Sequence, residues 1–396
     1  MKPIKFSENW FDEPRIISGI MTGNSLDGID TAIVEFSADS DGKHHFKLLG
    51  FEMTDFPQEI KYEMMKIFSG DVHISDISML NYALPSIYSE SLLKLCKNTG
   101  IKKNSIDAIG VHGQTVWHEP PRKDQLHKRH FSTLQLGNPS VLANLTGVTV
   151  VGDFRAADLA LGGQGAPLAP IFDYEFFRSD TENIIALNIG GIANGTFMPA
   201  GCKSDDVTAF DTGPGNILID AAIHRFTGMK FDYAGESARR GKTIQELMTE
   251  LQKISYIRKK PPKSTGRELF NANMLYKLLN ELNLIKSSQN DILRTITEFT
   301  AWSICENIRL FMNEKSKVIV SGGGRHNIFL MEIIQSYLPD SLIIGSDELG
   351  MNPDAKEAIF FAYLAYRTLG GLPGNMPSVT GAGKSCLLGV IALTND

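Results

Sequence analysis

Apolar and polar positions follow two alternating rhythms along this chain. Runs of period two, "RIISGIM", "TAIVEFS" and "HHFKLLGFEM", are separated by polar turns with Gly or Asp and predict three β-strands. "PQEIKYEMMKIFSG" and "SDISMLNYALPSIYSESLLKLCKNTG" then space their apolar residues as helices do, and each ends on glycine. "IDAIGVHG" predicts a buried strand running into a glycine loop. The order then begins again. "NIIALNIGG", "ANGTFMPAG" and "VTAFDTGPGN" predict three further strands with glycine turns. Helices are predicted over "GNILIDAAIHRFTG", about residues 270–283 and about residues 291–313. "KVIVSGGG" predicts a strand entering a triple-glycine loop, with the helix "RHNIFLMEIIQSYL" behind it. A last helix, "NPDAKEAIFFAYLAYRTLGG", has Pro353 near its start and Gly370 at its end, and is expected to pack back against the first half. The same succession of elements appears twice without evident identity between the halves. That pattern predicts a duplicated α/β core with a cleft between two similar domains.

Composition narrows the functional classes. A chain of 396 residues exceeds one ordinary core, so two domains are expected. Hydrophobic residues at 42% and charged residues at 21% are ordinary for a globular protein. A net charge of −6 argues against a nucleic-acid partner, and "RKKPPK" (Arg258 to Lys263) reads as a solvated loop. No apolar run approaches the roughly 20 residues a membrane helix needs. The N-terminus has no secretory apolar segment. Cys96, Cys202, Cys305 and Cys386 have no metal or redox spacing and suit a reducing cytoplasm. "EPPRKDQLHKRH" (Glu119 to His130) is the least regular stretch and reads as a surface excursion. "VTGAGKS" (Val379 to Ser385) superficially resembles a P-loop. It has Ser378 where that motif needs glycine, and "CLLGVIAL" after it reads as a strand rather than a helix.

Four glycine-rich segments adjoin apolar strands: "GIMTGNSLDGID" (Gly19 to Asp30), "NIGGIANGT" (Asn188 to Thr196), "FDTGPGN" (Phe210 to Asn216) and "SGGGRHN" (Ser321 to Asn327). Singly, each is readable as a tight turn. As a set they suggest backbone N–H groups that cradle anions, with carboxylates able to hold Mg²⁺ beside phosphate. Asp211, at the end of a strand, is either a carboxylate projecting for chemistry or a brace for its turn. Glu357, read locally, is a first-turn glutamate favoured by the helix dipole. His112 and His118 match no zinc spacing, so a polar lining role suits His112 better than metal ligation.

These blocks, together with "GVHGQTVWHEP", "LQLGNPSVLANLTG", "GDFRAADLALGGQGAPLAP", "PKSTGRELFN" and "LPGNMPSVTGA", resemble the anhydro-N-acetylmuramic acid kinase family in order and over nearly the whole chain. That family lies within the superfamily of sugar kinases, heat-shock chaperones and actin. Departures are Thr22 and Asn24 in the first loop, Arg325 after the three glycines, and extra residues from Pro121 to His130. The resemblance implies two similar RNase H-like α/β domains with a central cleft. The first is expected to hold residues 1–130 and 355–396. The second, residues 131–354, is expected to carry the sugar- and nucleoside-binding segments. It also implies phosphorylation of O6 of the 1,6-anhydro sugar while water opens the bridge at C1, with ATP and Mg²⁺ as cofactors and a place in cell-wall recycling. Asp211 would be the base and Glu357 would stand near the reacting water.

Nucleotide contacts would come from Gly23, Asn24, Ser25, Leu26, Asp27, Gly28, Ile29 and Asp30. Gly190, Gly191, Gly213, Gly215, Gly322, Gly323, Gly324 and Asn327 would complete them. Asp27 and Asp211 would serve the metal. His112, Gln114, Asp153, Arg155, Gln164 and Gly165 would bind sugar, although Arg155 and Asp158 could instead form a local ion pair. The partners implied are the anhydrosugar and ATP, without nucleic acid or membrane; a homodimer is one assembly open to the chain. Two other readings are a kinase for a different anhydrosugar such as levoglucosan, and a non-catalytic nucleotide-binding switch. "GGQGAPL" and "HEP" favour the muramic-type substrate over levoglucosan.

Overall fold

The computed structural model describes residues 9–23, 26, 28–70, 72–123, 129–312 and 315–394. Its strands are β1 (Arg15–Thr22), β2 (Ile29–Ala38), β3 (His44–Thr54), β4 (Ala108–Lys123), β5 (Arg129–Leu136), β6 (Val150–Gly152), β7 (Asn183–Ile189), β8 (Ile192–Met198), β9 (Thr208–Pro214), β10 (Ser316–Ser321), β11 (Leu342–Gly345) and β12 (Val390–Ala392). They form two mixed sheets, ordered β12-β6-β4-β1-β2-β3, with β5 paired to β4, and β11-β10-β7-β8-β9. Within both runs lies one motif. Three antiparallel strands (β1-β2-β3 and β7-β8-β9) are extended on the side of their first member by two parallel strands, β4 and β6 or β10 and β11. The duplicated α/β order expected from the sequence is therefore present at the level of topology.

Compactness divides the chain into one unit holding residues up to Phe176 and from Ala355 on, and a second from Phe177 to Asp354. The first unit runs on past residue 130 to Phe176, because β6 adds in parallel to β4 and β12 adds to β6. The "GDFRAADLALGGQGAPLAP" segment consequently belongs to the first unit. "EPPRKDQLHKRH" also differs from expectation, since β4 continues to Lys123 and pairs antiparallel with β5 from Arg129. "VTGAGKS" begins inside a short helix, Pro377–Thr380, and leads toward the three-residue β12, so it lacks the strand–loop–helix context of a P-loop.

In the first unit, the helix Lys356–Leu369 lies on β1 and β4 at backbone distance. A Cβ at Gly19 would stand 1.8 Å from the Ala358 carbonyl oxygen, and one at Gly110 would stand 2.0 Å from that of Phe361. The helix answers with Ala358, Ala362 and Ala365, all fully buried. At its start, Lys356 Nζ meets Asp173 Oδ1 at 2.7 Å, with both side chains buried. The second unit packs the helix Gln289–Phe311 through Ile292, Ile296, Phe299 and Ile304 into a core shared with Leu187, Ile189 and Val320. No helix among the described residues is long and apolar enough to cross a membrane. Gly110→Ala is expected to destabilise the first unit by about 3 kcal/mol, since the opposing atom is backbone and cannot rotate away; a lowered urea midpoint would report it.

Candidate active site

Asp211 lies on β9 opposite Asn194, just beyond a register shift between Ala193 and Asn194. The chain then turns through Gly213, with φ at 142°, into the helix Ile217–Thr227. Backbone holds this turn. The N–H groups of Gly215 and Asn216 donate to the carbonyls of Gly191 and Gly190 at 2.9 and 2.8 Å. From the helix Gln289–Phe311, Thr300 Oγ1 donates to Gly215 O at 3.1 Å and Asn307 Nδ2 to Thr212 O at 2.9 Å. Gly213 and Gly215 are thus needed by the fold itself: a Cβ on Gly215 would meet Gly190 O at 2.2 Å.

The Asp211 carboxylate accepts from Thr265 N–H through Oδ2 at 2.9 Å, and its backbone carbonyl accepts from Tyr256 O–H at 2.9 Å. Burial pushes this carboxyl up to about 6, with Glu268 adding to the rise and the Thr265 N–H and Lys263 opposing it. A carboxylate that titrates near neutrality and has an oxygen to spare has the properties of a general base.

Sequence reasoning missed the surroundings of Asp211. Lys263 closes "RKKPPK", which reads as a solvated loop, yet it is only 8% exposed. Its Nζ donates to Ile257 O at 2.8 Å and to Asn307 Oδ1 at 2.6 Å. It also lies about over the rings of Phe210 and Tyr256, 5.1 Å from each centroid. Burial pulls its ammonium down to about 8, against the attraction of Asp211. The "PKSTGRELFN" block marks the place, but no spacing rule connects Lys263 with a residue so far back in the chain.

Among the nucleotide-loop glycines, two kinds separate. Gly322 adopts φ of 80°, and a Cβ on Gly324 would meet Ile189 Cγ2 at 2.2 Å, so the fold requires both. Gly190, Gly191 and Gly323 have no such need. A Cβ would meet nothing nearer than 3.5 Å at Gly190 and 3.9 Å at Gly191, and nothing within 4 Å at Gly323. Their bare backbone fits the close approach of a phosphate or nucleoside. Asn327 caps the helix Ile328–Tyr337 by accepting from Leu330 N–H at 3.0 Å. Arg325 reaches Asp347 and Glu348 at 3.5 and 3.8 Å. In the first loop, Leu26 and Ile29 are core side chains and Gly28 would clash with Thr54 O, leaving backbone as their means of contact. Asp30 is half-buried on β2, and Gly23 O accepts from Leu26 N–H at 3.2 Å. Asn24, Ser25 and Asp27 lie outside the described residues.

A second polar group belongs to the first unit. Arg155 Nε and Nη2 reach His112 Nε2 at 3.2 and 2.9 Å, and Nη1 donates to Gly165 O at 2.8 Å. His112 Nε2 therefore accepts, which places the imidazole proton on Nδ1. Burial and the Arg155 cation hold His112 well below its ordinary range, so it is neutral near pH 7. Its ring stacks on Phe361 with centroids 4.5 Å apart. Burial pulls Arg155 down to about 10, and Glu357 opposes this. The solvent-accessible Glu357 is raised by surrounding protein, against Lys356 and Arg155.

Asp158 does not pair with Arg155. It accepts from Gly165 N–H, Asn375 Nδ2 and Thr380 Oγ1 at 2.8, 2.7 and 2.7 Å, tying the glycine turn to the C-terminal segment. Gln164 is exposed beside this turn, with its N–H on Thr380 O. Asp153 is exposed just after β6 with φ of 55°, in the left-handed region that Asp tolerates better than most non-glycine residues. Gln114 is 0% exposed, and its amide leans on Gly23 O and Thr115 O at 3.4 and 3.3 Å, so it braces the first loop. No group of three or more His, Cys, Asp or Glu among the described residues is arranged to hold a metal.

A family model described as anhydro-N-acetylmuramic acid kinase matches residues 15–394. The protein of that name from Caldanaerobacter subterraneus subsp. tengcongensis is 40% identical over 390 residues, covering 96% of this chain and 98% of its own. Its counterpart from Hahella chejuensis is 40% identical over 380 residues, covering 95% and 98%. Among solved structures, component A of the (R)-2-hydroxyglutaryl-CoA dehydratase of Acidaminococcus fermentans aligns with 90% of this chain and 99% of that one. Its TM-score is 0.46 at 10% identity, too distant to bear on the chemistry.

Asp158→Ala would leave three buried donors without their acceptor. A loss of about 3 kcal/mol is expected, seen as a thermal midpoint lowered by roughly 6–12 °C.

Proposed function

This chain belongs to the anhydro-N-acetylmuramic acid kinase family, and we propose that Asp211 is the base with which it carries out that family's reaction. The enzyme is an ATP-dependent kinase that hydrolyses the 1,6-anhydro bridge and phosphorylates O6, giving N-acetylmuramic acid 6-phosphate and ADP. The observation that carries the assignment of the base is the Asp211 carboxylate. It is held in place by Thr265 N–H through one oxygen and receives no hydrogen bond on the other from any described residue.

Asp211 takes a proton from water as the water oxygen bonds to C1. The C1–O6 bond breaks, its electrons pass to O6, and O6 bonds to the γ-phosphorus as ADP leaves. Gly190, Gly191 and Gly323 offer bare backbone to the nucleotide. Mg²⁺ would come with ATP and would supply charge neutralisation at the phosphates; Asp27 and Asp211 are the carboxylates that would hold it. Arg155, fixed in orientation by His112 and Gly165, is the cation suited to the lactyl carboxylate of the sugar. Gln164 and Asp153 are exposed close to it in the chain, and ordering the water is the role this reading gives Glu357. We assign the reaction to the cytoplasm, which supplies ATP and keeps the four free cysteines reduced. Product release then feeds peptidoglycan recycling.

The test is incubation with Mg-ATP and the anhydro sugar, followed by detection of ADP and the sugar 6-phosphate. Failure to form either product overturns the assignment, and faster turnover of levoglucosan would move it to the other substrate class. Asp211→Asn is expected to lower kcat by about 10³-fold or more while calorimetry still registers nucleotide binding. Because the base must be ionised and burial raises it to about 6, kcat should fall about tenfold per pH unit below that value and level off above it.

A further inference from the structure

Three separate supports hold Asp211, and each leads to the same side chain. Thr265, whose N–H binds the carboxylate, stands two residues after Lys263. Tyr256, whose hydroxyl binds the Asp211 carbonyl, belongs to the turn Ser255–Arg258, and the Lys263 ammonium closes on that turn's carbonyls at Ile257 (2.8 Å) and Tyr256 (3.5 Å). Asn307, whose Nδ2 binds the Thr212 carbonyl, accepts from Lys263 through Oδ1 at 2.6 Å. That acceptor role orients the amide so that its Nδ2 faces Thr212 O and Ser303 O, the latter at 2.7 Å.

The chemistry of the pocket is unusual for lysine. A buried ammonium ordinarily pairs with a carboxylate. No carboxylate among the described residues lies within ion-pair distance of Lys263; its partners are neutral oxygens and the faces of Phe210, Tyr256 and Phe311. A network whose sole aim was stability would be served as well by an apolar side chain. Lysine brings directional donors that a hydrocarbon cannot supply, and they tie the turn Ser255–Arg258 to Asn307 of the helix Gln289–Phe311.

We propose that Lys263 is the positioning residue for Asp211, joining the 256–265 loop, β9 and the helix Gln289–Phe311 so that Thr265 N–H meets one carboxylate oxygen and turns the other toward the attacking water. This rests on the reading of Asp211 as the base. Lys263 itself touches no substrate, since all of its donors are used within the protein.

The test compares Lys263→Met and Lys263→Arg with the parent enzyme. Lys263→Met keeps the stem against the rings and removes the donors. It is expected to lower kcat by about 10²-fold, the scale of a 1 Å misplacement, with KM for ATP and for the sugar within about threefold of the parent. The Thr265 amide resonance should move upfield in the ¹⁵N–¹H spectrum as its bond to Asp211 lengthens. Lys263→Arg should recover part of the lost kcat. Unchanged kcat, a parallel rise of both KM values, or an unmoved Thr265 amide would overturn the proposal. If the Met variant does not fold, Lys263→Gln is read by the same measures. Asp211→Asn separates the two readings. Retained turnover there overturns the base assignment, whereas the Thr265 resonance in the Lys263 variants still decides whether Lys263 positions Asp211.

Discussion

The first unit depends on a helix seated directly on strand backbone. Gly19 and Gly110 remove two side chains from the centre of the sheet, and the helix Lys356–Leu369 takes their place with Ala358, Ala362 and Ala365. Contact at that distance leaves little freedom for the helix to slide or rotate. Its first turn is held further by the buried Lys356–Asp173 pair, so the position of Glu357 is set by packing rather than by its own contacts. Phe361, one turn on, is in turn what His112 stacks against. A backbone constraint in the sheet is thereby transmitted to the orientation of Arg155.

Both units solve one electrostatic problem in different ways. Asp158 is a buried carboxylate satisfied by three donors and joined to segments far apart in the chain. Lys263 is a buried cation satisfied by carbonyls, an amide oxygen and ring faces. Neither uses an opposite charge, and each gains directionality from hydrogen bonds that an ion pair in water would not impose. Asp211 is left with fewer partners than either. Its raised carboxyl is the physical consequence of burial without a full set of donors.

The candidate nucleotide loops were legible because they set glycine beside strands. The loops at Gly190, Gly191 and Gly323 were recognisable as a set, and the structure adds that protein packing does not require glycine there. Leu26 and Ile29 show the limit of that reasoning, since a residue inside a loop motif can still point its side chain into the core. Gln114, read from sequence as a sugar ligand, also leans its amide nitrogen on Gly23 O of the first loop. The Arg155–Asp158 pair, plausible from spacing, gives way to two separate networks, because Asp158 finds donors from residues more than two hundred positions later.

Periodicity and turn residues by themselves determined β1–β4, β7–β10, the longest helices and the repeated order of elements, since those signals act over a few neighbouring residues; β5, β6 and β11 went unread. The family and the identity of its reaction were also written in the ordered motifs. Only the tertiary structure decided where the first unit ends, because the pairing of β6 with β4 is a long-range hydrogen-bond ladder with no local signature. It alone brought Lys263 and Asn307 to Asp211, turning a lysine from a charged run into a buried anchor. Burial and partner choice are properties of residues distant in sequence, and they exist only once the chain has folded.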